Sequence, residues 1–397
     1  MNRIGRFLIG SSLLMALIAM ITPSAESAPP PSVSPTAVLL VTGLQGATGS
    51  TVGPDGALYV TEGAAGRISR VDPQTGELTT FASGLPKAIP AVGIGGAIDV
   101  AFIDRTAYVL VTLVDPDVGG SDVDGIYRVD GPDSFTIVAD IGDFNINNPP
   151  TIPFPFFIPT GVQYALQTFR GGFLVTDGHL NRVLRVTLDG ERRRDQRVDC
   201  DGEISVGERR RDQRVDCDGE ISVLIAFDDI VPTGLAVSGN TIYMAEAGPV
   251  PHLPQNGKVV AFGPKSTTAT VVASGAPLLV DVEFSRGRSE TGHADCPHPA
   301  LGQNPHAFTH DGPRPSCGLY ALSQGPGVPG APPGSPAQPN SGALVKVNGD
   351  GTFTIITDHL NLPTSLEFIG TTAYVVTLTG EIWKIEGASE PPYGVSH

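Results

Sequence analysis

"PDGALYVTEGAAGRISRVD" occupies Pro54–Asp72 and reads as a turn, a strand, a second turn and a second strand. Pro54-Asp55-Gly56 supplies turn chemistry, and "ALYVTEG" (57–63) is rich in residues that favour strands. After Gly66, "GRISRVD" alternates polar and branched apolar residues, the period of a half-buried strand. The phrase returns, altered, near the other end of the chain as "TAYVVTLTGEIWKIE" (372–386). Between the two, the same order of segments recurs until six copies are counted.

Each copy opens on a short strand: "ATGSTV" (47–52), "AIDVAF" (97–102), "PTGVQY" (159–164), "PTGLAV" (232–237), "LVDVEF" (279–284) and "PTSLEF" (363–368). The second and third strands follow as in the opening phrase. A fourth appears in five copies, for example "FTIVADI" and "EISVLIAF". The sixth copy runs out at Ile385 without it, and "TAVLLVTGL" (36–44) offers the missing strand from the other end. Donating it closes a ring and removes two exposed sheet edges. The expected fold is therefore all-β: a single six-bladed β-propeller of four-stranded blades, closed by the N-terminal strand.

Residues 1–28 have the build of a secretory signal peptide: Arg3 and Arg6, an apolar run at Phe7–Ile21, then the small residues of "TPSAESA". The expected location is secreted or periplasmic. A Pro/Ser-rich linker (29–35), the propeller (36–387) and a C-terminal tail (388–397) complete the plan. No later apolar run is long enough to cross a bilayer, so no integral membrane segment is expected after signal removal. The formal charge of −16 argues against nucleic acid and anionic lipid as partners. The expected partner is a small molecule or an extracytoplasmic protein, its identity not readable from the residues.

Phrases such as "PDGALYVTEGAAGRISRVD" and "VTDGHLNRVLRV" resemble NHL-type propellers and the wider gluconolactonase-like superfamily. The signal peptide, the PTG strand starts and the stretch from "QGPGVPGAPPGSPAQPNSG" (324–342) through "GEIWKIEG" are similar to the ScyD/ScyE family of exported propellers. That resemblance covers roughly 36–387 and implies an extracytoplasmic propeller. The gluconolactonase-like enzymes use a Glu/Asn/Asp metal site, and no complete matching motif is found here.

Three insertions interrupt the repeats. "GERRRDQRVDCDGEISV" fills Gly190–Val206 and repeats at once as Gly207–Val223, between the third and fourth strands of blade three. Four arginines and five acids per copy leave the segment near neutrality, a self-paired solvated loop. A partial EF-hand resemblance at 198–208 lacks its first aspartate. An oxidising compartment allows a Cys200–Cys217 disulfide. Either copy of "EISV" can pair with Val183–Leu188, so two registers compete. In blade five, the Cys/His loop (285–317) brackets His293, His298, His306 and His310 with Cys296 and Cys317; a disulfide staple is the simpler reading, and a Zn or Cu site the alternative. The third insertion, 324–342, reads as a disordered or partly extended loop by composition.

Aligning the six first strands puts Gly49, Asp99, Gly161, Gly234, Asp281 and Ser365 at one position. Asp99 and Asp281 then face each other across the channel mouth, able to hold Ca²⁺ or another divalent cation, or to serve as an acid/base pair. Glu62, Asp177 and Glu246 end second strands on the same face and join them as candidate ligand-binding residues. The competing reading is that these carboxylates only accept hydrogen bonds from nearby N–H groups. Asp115, Asp117, Asp122 and Asp124 in "DPDVGGSDVDG" (115–125) form a further Ca²⁺ candidate or a plain solvated turn. Phe154, Phe156 and Phe157 suggest an aromatic rim or filler beside the channel. The leading functional expectation is a non-catalytic ligand- or protein-binding propeller. A metal-dependent lactonase-like hydrolase using Asp99 and Asp281 is the alternative, and a pure scaffold the third class.

Overall fold

The computed structural model describes residues 35–151, 158–188, 219–285, 318–332 and 334–390. Its strands form six antiparallel sheets of four, each a meander, arranged as a six-bladed β-propeller. Blade one is β2 (Ala47–Val52), β3 (Leu58–Glu62), β4 (Arg67–Val71) and β5 (Leu78–Ser83); blade two is β6 (Gly96–Ile103), β7 (Thr106–Thr112), β8 (Gly125–Gly131) and β9 (Ser134–Asp140). Blade three is β10 (Gln163–Phe169), β11 (Gly172–Asp177), β12 (Arg182–Leu188) and β13 (Gly219–Ala226). Blade four is β14 (Pro232–Ser238), β15 (Thr241–Glu246), β16 (Lys258–Phe262) and β17 (Thr270–Ser274). Blade five is β18 (Leu279–Phe284), β19 (Leu319–Ser323), β20 (Gly342–Val347) and β21 (Phe353–Leu360).

Blade six holds β22 (Pro363–Ile369), β23 (Thr372–Thr377) and β24 (Ile382–Ile385), and takes its fourth strand, β1 (Ala37–Val41), from the far end of the chain. Val38 lies opposite Lys384 and Leu39 opposite Trp383. The closure expected from the missing fourth strand of the sixth copy is the one observed. Among the described residues there is one α-helix, α1 (Ile141–Asn147), capped by Asp140, whose Oδ1 accepts the Asp143 amide at 2.8 Å.

The core is divided among the blade junctions. Six main apolar clusters each join two consecutive blades, the last joining blade six to blade one through Val41, Tyr374, Val60 and Val71. A blade has two apolar faces and cannot bury both alone, so burial drives ring assembly. Every fully buried Leu, Ile or Phe contributes about 1.5–3 kcal/mol. Aromatic pairs mark the junctions: Tyr59 against Phe102 at 4.8 Å, Tyr108 against Phe173 at 4.9 Å, Tyr243 against Phe284 at 5.3 Å, and Tyr320 against Phe368 at 4.8 Å.

The duplicated segment resolves its register in one way. β12 pairs with the second "EISV", Val186 opposite Ile221 and Leu184 opposite Val223. Residues 189–218, with Cys200, Cys217 and the arginine runs, lie outside the described residues, as do Cys296, Cys317, the four loop histidines and Phe154, Phe156 and Phe157.

Candidate functional site: the axial channel and its carboxylate waist

All six first strands carry a register break at the same place, between Ala47 and Ser50, Ala97 and Asp99, Gln163 and Leu166, Pro232 and Leu235, Leu279 and Asp281, and Pro363 and Ser365. The bulge turns one residue per blade toward the axis. From the pairing, the equivalent residues are Gly49, Asp99, Ala165, Gly234, Asp281 and Ser365. Blade three corrects the sequence alignment: Ala165, not Gly161, holds the position. The "PTG" of 159–161 precedes β10, whereas that of 232–234 begins β14. Gly161 sits instead against Asp177 and Asn145, at a positive φ of 80° with no room for a Cβ.

The order Gly-Asp-Ala is followed by Gly-Asp-Ser, so the inner ring has a pseudo-twofold axis. Each aspartate uses it in the same way. Asp99 Oδ1 accepts its neighbour's amide, Val100, at 2.8 Å, and Oδ2 accepts the amide of Leu166 in the next blade at 2.7 Å. Asp281 Oδ1 accepts from Val282 at 2.8 Å, and Oδ2 from Leu366 of the next blade at 2.7 Å. The glycine of the preceding blade makes the space: a Cβ on Gly49 would collide with Asp99 Oδ1, and one on Gly234 with Asp281 Oδ1.

Other junctions close with hydroxyls. Thr48 Oγ1 donates to Ile98 O at 2.9 Å, Thr176 Oγ1 to Thr233 O at 2.6 Å and Thr233 Oγ1 to Leu279 O at 2.9 Å; Ser365 Oγ meets Ser50 Oγ at 2.9 Å. The aspartates are two members of a ring of inter-blade latches.

Both carboxyls border the channel but are otherwise surrounded by protein. Burial pushes Asp281 up to about 7, against the amides that favour its charge. Burial also carries Asp99 well above the usual carboxylate range, and the charge of Asp281 adds to the effect. Near neutral pH the pair favours holding a proton.

Asp99 and Asp281 line two chambers, so they form the waist of the channel and not its mouth. One chamber, on the side of the first-strand starts, encloses about 180 Å³; its walls are Ile94, Ile98, Tyr164, Val231, Leu278 and Val280, with His252, Gln324, Thr48 and Ser365 as polar groups. The other is larger, about 440 Å³, and polar, with Asp104, Glu283, Glu367, Gln167 and Thr51 on its walls.

His252 was not singled out from sequence, because it lies in the β15–β16 loop without periodicity. Its Nδ1 lies 2.7 Å from Gly248 O; that carbonyl can only accept, so Nδ1 carries the proton and Nε2 is left as an acceptor. Burial holds its pKa below the ordinary value, so the neutral ring is favoured. Gln324 is fixed at both ends: its Nε2 donates to Pro363 O at 3.2 Å, and its Oε1 accepts from Ala337 N at 3.0 Å.

Glu62, Asp177 and Glu246 line neither chamber. Glu62 is fully buried and chelated: Arg67 Nε reaches Oε1 at 2.7 Å, Arg67 Nη2 reaches Oε2 at 2.9 Å, and Ser69 and the Gln45 amide complete the set. Burial raises its pKa, but these donors outweigh it and hold the carboxyl below the ordinary value. Asp177 accepts from Asn145 Nδ2 at 2.6 Å, Gln163 Nε2 at 3.1 Å, Leu180 N at 2.9 Å and Val162 N at 3.2 Å. Glu246 is buried opposite Lys258, and burial pushes it up to about 7 despite the lysine.

All four oxygens of Asp99 and Asp281 take amide protons, and among the described residues no three His, Cys, Asp or Glu side chains gather as a metal-holding group. Nor is any helix among the described residues long and apolar enough to cross a membrane.

No protein-family model matches the chain, and no curated protein matches it in sequence. Its fold is similar to the PQQ-bound aldose sugar dehydrogenase of Streptomyces coelicolor, at 13% identity and TM-score 0.54, covering 90% of this chain and 99% of that one. It is also similar to an auxiliary nutrient binding protein of Bacteroides thetaiotaomicron, at 11% identity and TM-score 0.50, covering 86% and 69%. A gluconolactonase of Xanthomonas campestris matches at 11% identity and TM-score 0.48, covering 90% and 95%. At these identities the likeness establishes the fold alone: the chain is a six-bladed β-propeller protein, a fold shared by enzymes and binding proteins.

Proposed function

We propose that the protein is an exported, non-catalytic binding propeller that takes a small, uncharged and largely apolar molecule in the chamber above the Asp99–Asp281 waist. The observation that carries this reading is the composition of that chamber: walls that are mostly apolar, with Ile94, Ile98, Val231, Leu278 and Val280 among them, and polar groups at its edges and floor. Water gains little from such walls and is readily displaced, whereas the opposite chamber is polar and suits water. A proton held on Asp99 or Asp281 gives the floor a donor, so a carbonyl or hydroxyl oxygen on an otherwise apolar ligand is favoured. The leader at 1–28 and the ScyD/ScyE resemblance support an extracytoplasmic setting, secreted or periplasmic.

The lactonase-like reading needs a metal or a base free to activate water. Each of the four carboxylate oxygens is engaged by a backbone amide as an inter-blade latch, a role that favours binding over hydrolysis.

The test is a thermal-shift screen of small uncharged compounds on the mature chain and on Val280→Trp, which fills the chamber from its wall. Compounds that stabilise the parent protein and not the variant support the proposal. Hits that act equally on both would overturn it. Hydrolysis of lactones or esters, lost in Asp281→Asn, would replace it with the enzyme reading.

A further inference from the structure

A second site lies outside the channel, in the β7–β8 loop of blade two. Asp124 is fully buried there. Its Oδ1 accepts the Val114 amide at 2.8 Å, but its Oδ2 has no hydrogen-bond partner. An unsatisfied carboxylate oxygen away from solvent is costly, and native proteins rarely leave one without a ligand, an ion or a water.

The surroundings identify what is missing. Asp115 adjoins: its Oδ2 accepts the Asp124 amide at 3.2 Å and packs so closely on the start of α1 that a Cβ on Gly142 would collide with it. Thr160, where the chain turns into blade three, is held against the same loop by Asp117, whose Oδ2 accepts its amide at 3.3 Å. Its hydroxyl proton is committed there as well, since Thr160 Oγ1 donates to Asp117 Oδ2 at 2.8 Å, so the hydroxyl leaves Asp124 Oδ2 unsatisfied. The side chains of Asp115 and Asp124 offer only oxygen to a ligand.

We propose that this loop binds one Ca²⁺ ion, held by the carboxylates of Asp124 and Asp115 with the Thr160 hydroxyl beside them and water completing the shell. Hard oxygen donors in an irregular set suit Ca²⁺ better than Mg²⁺, which demands near-octahedral geometry. Asp117, which holds Thr160 through the same hydroxyl, positions it. The ion ties the β7–β8 loop of blade two to the start of blade three, and so braces the junction next to which the long loop 142–161 leaves and returns. Asp99 and Asp281 take no part, because they line the channel and not this loop.

The experiment uses the full mature chain, stripped with chelator and dialysed. Calorimetric titration with Ca²⁺ and thermal melts with and without millimolar Ca²⁺ are run on the parent protein, Asp124→Asn, Asp115→Asn and Asp99→Asn. The parent protein is expected to bind about one equivalent and melt higher with Ca²⁺. Loss of one ligand charge is expected to weaken binding on the order of tenfold or more in Asp124→Asn and Asp115→Asn. Asp99→Asn keeps the response. If Asp124→Asn does not fold, Asp115→Asn decides. Absence of Ca²⁺ binding in the parent protein, or an unchanged response in the loop variants that fold, would overturn the proposal.

Discussion

Asp99 and Asp281 stand at the same bulge position three blades apart, and each accepts the amide of the following blade at 2.7 Å. The relationship makes them latches first and waist-forming groups second, and it explains why glycine precedes each aspartate by one blade.

Gly49→Ala and Gly234→Ala should therefore destabilise the ring although both are small changes. A Cβ at either site meets backbone as well as the aspartate, so the neighbouring blade must move. A cost of about 1–3 kcal/mol is expected in denaturant unfolding, the usual range for overpacking. Gly56→Ala, whose added Cβ has open space but whose φ is 80°, serves as a control for backbone strain alone.

Stability should fall as pH rises from 5 to 8. Asp281 and Glu246 each have a folded pKa of about 7 against the ordinary 3.8 and 4.5. Between these values the folded state holds protons that the unfolded state has lost. Their contribution is full below the unfolded pKa and disappears as pH passes through about 7. Each tenfold difference in proton affinity corresponds to about 1.4 kcal/mol. Asp281→Asn should flatten the slope, and it should be less stable than the parent protein at pH 5, because one of two amides loses its acceptor. Urea unfolding at four pH values checks both.

Glu62→Gln should destabilise without touching ligand binding. It breaks a buried carboxylate–guanidinium pair, a change that costs about 3–5 kcal/mol when both partners are buried. Arg67 is 27% exposed, so the low end of that range or less is expected. Because Glu62 lies on neither chamber, the affinity of any hit from the ligand screen should be unchanged.

Deleting one 17-residue copy of the tandem segment should leave the fold intact. The second "EISV" supplies the β13 pairing, and either deletion restores one such segment after the loop. Halving a loop changes closure entropy by only about 0.6 kcal/mol, so the melting temperature should barely move.

Much of this architecture is legible in the residues, because a propeller repeats itself. Strand alternation sets the blades, the missing sixth fourth-strand sets the closure, and the in-line position of Asp99 and Asp281 follows from two matching first strands. Blade three misleads because its "PTG" copies that of blade four while Thr160 and Gly161 are drawn aside by Asp117, Asp177 and Asn145. The role of the waist aspartates is also hidden, since the amides of Leu166 and Leu366 that satisfy them are 67 and 85 residues away in sequence. His252 and Gln324 come from loops, where no period announces a side chain.

The measurement that bears most directly on the central proposal is an equilibrium titration of the best screen hit against three proteins: the parent, Val280→Trp on the apolar chamber and Glu283→Gln on the polar one. Binding that is lost in Val280→Trp and kept in Glu283→Gln is the expected result. Binding that survives Val280→Trp and fails in Glu283→Gln would place the ligand at the other end of the channel and contradict it.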